Sequence, residues 1–243
     1  MHLIDTRPIC RPPDSIGTPI VYVVDGDHSV RRELESLIHS TGWQARTAAS
    51  AVEFLARPRV MTAGCLLVAQ QLQDMSGLEM QRLVLDRTEM PVIFMSEQPD
   101  VRSTVQAMKA GAFEFLIKPL ASDTVLNAIA GALEHSRAAL SHAARGLALQ
   151  QCYESLSPRE CEVMDLVVRG RLNKQIGAGL GISEFTVKAH RGRVMRKMQA
   201  RSVPELVNMA ARLRPRSRPI RLANVEAFAR VPNLDAHFGA IAV

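Results

Sequence analysis

The chain has 243 residues, 47% hydrophobic and 22% charged, which allows one or two packed domains and excludes a low-complexity or disordered polypeptide. Its net charge of +6 is uneven: residues 1–168 carry 15 Lys/Arg against 20 Asp/Glu, residues 169–201 nine against one, and residues 202–243 six against three. A basic block behind an acidic front half excludes a uniformly solvated surface and is the electrostatic footprint of a duplex-binding module.

Residues 1–18 contain Pro8, Pro12 and Pro13 and no apolar run long enough for a secretory signal, so a flexible N-terminus is expected. No stretch of about 18 apolar residues occurs, so no membrane span is expected and the cytoplasm is the default location. Cys10, Cys65, Cys152 and Cys161 show no CxxC or Cys/His metal spacing and read as reduced thiols, with no metal or cofactor implied.

From 19 to 136 short apolar runs alternate with amphipathic helical patterns, the signature of an α/β doubly wound parallel sheet. Strands are predicted at 20–24, 44–47, 65–68, 92–95 and 113–117, with helices near 29–40, 51–56, 78–87, 101–110 and 122–135. Sites in such sheets form beyond the carboxyl ends of the strands, where the strand order reverses. The residues to inspect are therefore Asp25 to Asp27, Ala69 to Asp74, Ser96 and Lys118. Leu133, Leu140 and Leu147 then stand seven apart without an intervening proline. This favours a helical, dimer-forming linker over 137–155, with a flexible connector as the alternative because Gly146 interrupts the pattern.

Residues 156–213 begin with Ser157-Pro158-Arg159-Glu160, a capping box with proline at the first helical position. Val163, Leu166 and Val167 give that helix an apolar face, and it is predicted to end near Gly170. Asn173 is expected to cap a second helix, 174–180, stopped by Gly181; Ser183 is expected to cap a third. In that third helix Val187, Val194 and Met198 form the inward stripe. Lys188, Ala189, Gly192 and Arg196 lie opposite, flanked by Arg191, Arg193 and Lys197. Two helices joined by a tight glycine turn, the second basic outside, are how a chain presents a helix to the major groove. Residues 214–243 open with a proline-punctuated basic run and are expected to be a disordered tail, either solvated or adding phosphate contacts.

The stretch from 156 to 213 resembles the DNA-binding domain of LuxR/FixJ-type transcription regulators. The resemblance rests on Leu156 to Glu160, Asn173 to Ile176, Leu180 to Ser183, Thr186 to Lys188, His190-Arg191 and Val194 to Met198. It implies an all-α four-helix domain whose third helix reads DNA and whose fourth, 202–213, pairs two protomers. The 19–136 segment resembles the receiver domain of two-component response regulators, with flavodoxin-like strand order, through Val23-Val24-Asp25, Met75 to Glu79, Pro91 to Ile93, Ala110 to Ala112 and Lys118-Pro119. The whole chain is thus similar to FixJ/NarL-class response regulators.

A typical receiver has two adjacent acids after its first strand and an aspartyl phosphoacceptor after its third. Here Gly26 follows Asp25, and Ala69 stands at the acceptor position. Aspartyl phosphorylation needs a carboxylate nucleophile and a divalent cation held by neighbouring oxygens, and Ala69 offers no oxygen. Asp74 lies five residues further on and Asp27 one place late; neither is a good substitute. Asp25, Ser96, Phe115 and Lys118 remain as remnants of the pocket, with Asp25 expected to pair with Lys118 and Phe115 expected to pack on the sheet.

These readings predict a sequence-specific transcription regulator, not an enzyme, that is not controlled by aspartyl phosphorylation. The alternatives are a receiver that binds a ligand or partner and inhibits DNA binding until engaged, or a phosphorelay regulator with a non-standard acceptor. The expected partners are promoter DNA and a second copy of the chain, with RNA polymerase and a sensor kinase left open. Lys188 is expected nearest the base edges, with Ala189 and Thr186 beside it. Lys174, Arg191, Arg193, Arg196 and Lys197 complete the DNA-binding set, the last four mainly on phosphates.

Overall fold

The computed structural model describes residues 17–98 and 100–213. The basic tail 214–243, Cys10 and the expected flexible N-terminus up to residue 16 lie outside the described residues. Five strands, β1 (Ile20–Val24), β2 (Gln44–Ala48), β3 (Gly64–Ala69), β4 (Val92–Ser96) and β5 (Glu114–Ile117), form a parallel sheet in the order β2-β1-β3-β4-β5. In β1, β3 and β4 every residue is buried, because helices cover both faces, and this is why these strands read as unbroken apolar runs.

Side chains alternate between two cores. Tyr22, Val24, Leu66, Val68 and Phe94 pack with Phe54 of α2 (Ala51–Leu55), Met80 of α3 (Gly77–Leu83) and Ala107 of α4 (Val101–Lys109). Val21, Val23, Leu67, Ile93 and Met95 pack with Leu34 and Ile38 of α1 (His28–Ser40) and with Ile129 and Leu133 of α5 (Ser122–Glu154). A hydroxyl ties α5 to the sheet: Ser136 Oγ, fully buried, accepts from Gly64 N at 3.0 Å and donates to the Glu89 carbonyl.

One helix, the third, differs from expectation. It stops at Leu83 rather than reaching 87, since the chain turns at 84–90 to bring Val84 and Met90 into the core while Leu83 and Leu85 stay exposed. The fifth runs unbroken for 33 residues, so the linker is the helix expected and Gly146 does not interrupt it. A glycine costs a helix about 1 kcal/mol, and α5 is anchored at both ends. Leu133 is buried under the sheet, whereas Leu149 and Cys152 pack into a third core. The Leu133, Leu140, Leu147 seam is accordingly not one continuous surface: Leu133 is consumed by the receiver core and Leu147 is exposed.

That third core is built by α6 (Pro158–Val168), α7 (Asn173–Leu180), α8 (Glu184–Lys197) and α9 (Val203–Leu213), around Val163, Val167, Ile176, Val187, Val194, Met198 and Leu206.

Candidate nucleic-acid interface and receiver pocket

The entry to α6 is the capping box expected: Ser157 Oγ accepts from Glu160 N at 3.3 Å and Glu160 Oε2 accepts from Ser157 N at 2.9 Å. The turn between α7 and α8 closes because Gly181 adopts φ +67°. Gly177 lets the two helices meet; a Cβ there would lie 2.8 Å from the Ile182 carbonyl oxygen. Ser183 caps α8, its hydroxyl accepting from Thr186 N at 3.1 Å and pairing with the Thr186 hydroxyl at 2.8 Å.

Asn173 does not cap α7. Leu172 occupies that position, with Gln175 Oε1 accepting from Leu172 N at 3.0 Å. Asn173 instead lies in the first turn, and its Oδ1 accepts from Arg191 Nη1 at 2.7 Å, tying α7 to α8.

On α8, Val187 and Val194 face the core, while Lys188, Ala189, Gly192, Arg193 and Arg196 are exposed and Thr186 is half-buried. Lys174 on α7 is exposed as well. Lys197 differs from this set. Its ammonium donates to Glu160 Oε2 at 2.7 Å and to the Ser155 carbonyl at 2.9 Å, clamping the end of α8 to the start of α6. Glu160 is buried, and the Lys197 bond, helped by the Ser157 amide, lowers its carboxyl to about 2. Lys197 thus has a carboxylate partner inside the domain, while its side chain stays 38% exposed. Leu172 and Phe185 are large apolar side chains left exposed here, 69% and 83%, and neither carries the basic signal that marks the rest of the surface.

At the carboxyl end of the sheet, where the order turns between β1 and β3, Lys118 Nζ donates to Asp25 Oδ2 at 2.9 Å. The Asp25 side chain is 4% exposed and that of Lys118 12%. Asp25 Oδ1 accepts from Asp27 N at 2.9 Å, so both carboxylate oxygens are engaged. Lys118 lies 3.6 Å from the exposed Glu97 and precedes a cis Pro119. Ala69 ends β3 with its side chain buried; Ser96 ends β4, also buried. Phe115 is half-buried and stacks on Phe94, ring centroids 6.2 Å apart and planes 20° from parallel.

The two nearby acids serve the backbone. Asp27 caps α1, accepting from Ser29 Oγ at 2.6 Å and Ser29 N at 2.8 Å, and these bonds hold its carboxyl below the usual range. Asp74 accepts from Val52 N at 2.8 Å and Ala51 N at 3.3 Å at the start of α2, which lowers it likewise. A receiver's divalent cation needs several carboxylate or carbonyl oxygens converging on one point. Asp25 is taken by Lys118, Asp27 and Asp74 cap helices, and Ala69 has no side-chain oxygen, so these residues do not fit such an ion. Among the described residues no three His, Cys, Asp or Glu side chains gather as a metal site elsewhere.

Comparison with known proteins resolves the family. The model for the response regulator receiver domain matches residues 21–130, and that for bacterial regulatory proteins of the luxR family matches 154–210. The chain is a luxR-type response regulator. It is 40% identical over 196 residues to the response regulator protein TodT of Pseudomonas putida, spanning 80% of this chain and 86% of that one. It is 37% identical over 191 residues to the transcriptional regulatory protein FixJ of Rhizobium meliloti, spanning 78% and 94%. The structure of the response regulator StyR superposes with a TM-score of 0.74 at 38% identity, covering 80% of this chain and 99% of that one. This response regulator is thus a transcription regulator carrying a DNA-binding domain of the luxR type, and among the described residues no helix is long and apolar enough to cross a membrane.

Proposed function

We propose that this response regulator binds promoter DNA with α8 in the major groove and that its receiver is not switched by aspartyl phosphorylation. The observation that carries the second statement is the pairing of Asp25 with Lys118 at 2.9 Å beside Ala69. The lysine that would meet a phosphoryl group neutralises the one buried acid there, and the end of β3 has no nucleophile. On the DNA side, Lys188 with Ala189 and Thr186 contacts base edges, while Lys174, Arg191, Arg193 and Arg196 hold phosphates. Arg191 is oriented for this by Asn173. Two protomers pair through α9, where Val203 and Val207 remain 36% and 38% exposed.

Affinity for a selected duplex, measured on the full-length protein before and after incubation with acetyl phosphate and Mg²⁺, tests the reading. Equal Kd values are expected; a tenfold tightening would contradict it.

Control by a docked partner is a second reading. It is favoured by the exposed Val101, Val105 and Met108 on α4 beside Ile117 on β5. Under it, Val101→Asp combined with Ile117→Asp changes the DNA affinity of the full-length protein; an unchanged Kd would dismiss it.

A further inference from the structure

The geometry points to Phe185 as the residue with which α8 recognises a thymine, by packing its ring on the base's C5-methyl group. This inference rests on the DNA reading proposed above and names the base-specific chemistry of that surface. Phe185 is 83% exposed, the highest value among the large hydrophobic side chains of the described residues. It is the second residue of α8, and the N-terminal residues of a reading helix are the ones that reach base edges.

Its angular position is decisive. With about 100° per residue, Phe185, Gly192 and Arg196 fall within about 20° of one line along α8, and Val187 and Val194 lie about 180° from it. Because both valines are buried, the ring occupies the centre of the outward face. Lys188 and Ala189 flank it, one turn on, and both are exposed. At Gly192 nothing lies within 4 Å of where a Cβ would be, so no side chain stands on the line behind the ring until Arg196. A phenyl ring cannot bond a phosphate or a polar base edge. The apolar group that the major groove presents is the thymine methyl, and phenylalanine is among the side chains suited to it.

The test uses the full-length protein. Wild type selects its preferred duplex from a random library, and each thymine in that duplex is then replaced singly by deoxyuridine, which removes the methyl and keeps the hydrogen-bonding edge. At one position in each half-site the replacement is expected to weaken wild-type binding about fourfold, the factor for one buried methyl-sized group. Phe185→Ala is expected to bind the thymine duplex about fourfold or more weakly and to ignore that replacement; Phe185→Leu is expected to retain part of the effect. The thermal melt of each variant checks folding, which an exposed ring does not support.

Equal response of wild type and Phe185→Ala at every thymine, or an unchanged selected motif in Phe185→Ala, would overturn the assignment and give the ring to a protein contact. If wild type enriches no motif at all, the DNA reading falls and this inference with it.

Discussion

Lys118 and Lys197 sit in different halves of the molecule, and each donates to a buried carboxylate: Asp25 at 2.9 Å in the receiver, Glu160 at 2.7 Å in the DNA-binding domain. In the receiver the pair fills the place where phosphoryl chemistry is expected. In the DNA-binding domain it engages a lysine that the sequence assigned to phosphate. The difference teaches that a lysine's role is set by the acid it meets. Asp25 is buried and Glu97, the second acid near Lys118, is exposed, so Lys118 joins β5 to the end of β1; Glu160 belongs to a capping box, so Lys197 fastens two helices.

Breaking the more enclosed pair should cost most. Lys118→Ala is expected to lower the stability of the receiver by about 3–5 kcal/mol, since it leaves the buried Asp25 carboxylate without its ion-pair partner, Arg31 bonding only the Asp25 backbone carbonyl. The midpoint of the receiver's urea transition measures this, and a loss under about 1 kcal/mol would mean that the pair is solvated.

Lys197→Ala should cost about 2 kcal/mol, less because its side chain is 38% exposed. The variant should keep the wild-type slope of log Kd against log salt, which a phosphate-binding lysine would lower by about one unit. The pair also carries a pH signature. Glu160 titrates at about 2 in the fold, below its ordinary 4.5, so its stabilisation is complete above the ordinary value and disappears as pH falls through about 2. The gap in urea midpoint between wild type and Glu160→Gln should therefore narrow steadily from about pH 5 to about pH 2.

Smaller effects separate readers of sequence from holders of backbone. Lys188→Ala should lose roughly 1–3 kcal/mol at the selected site and relax its preference across a random duplex library. Arg193→Ala should weaken all sequences alike by about 1 kcal/mol or less and flatten the salt slope by about one unit.

Much of this architecture was legible beforehand. The β1, β3 and β4 runs are unbroken because both faces are covered, and the Ser157 box and Gly181 turn are local signals that local physics obeys. Non-local partnerships were not legible. Nothing near Lys197 announces Glu160, 37 residues earlier, or tells that Asp74 will cap α2, 22 residues before it. The helical linker was legible from the proline-free leucine spacing, and the propensity cost of Gly146 is outweighed by packing at both ends. The exposure of Phe185 was not legible, because a large apolar residue in an amphipathic helix ordinarily faces a core. The pairing of Asp25 with Lys118 was legible because removing the neighbouring acids left that lysine one buried counter-charge.

Whether the receiver takes up phosphate at all is decided by incubating the full-length protein with radiolabelled acetyl phosphate and Mg²⁺ and measuring base-labile label. The wild type is expected to take up none. The Gly26→Asp/Ala69→Asp variant, whose first change enters open space, is expected to become labelled. Base-labile label on the wild-type receiver would contradict the proposal that Ala69 and the Asp25–Lys118 pair have closed the pocket.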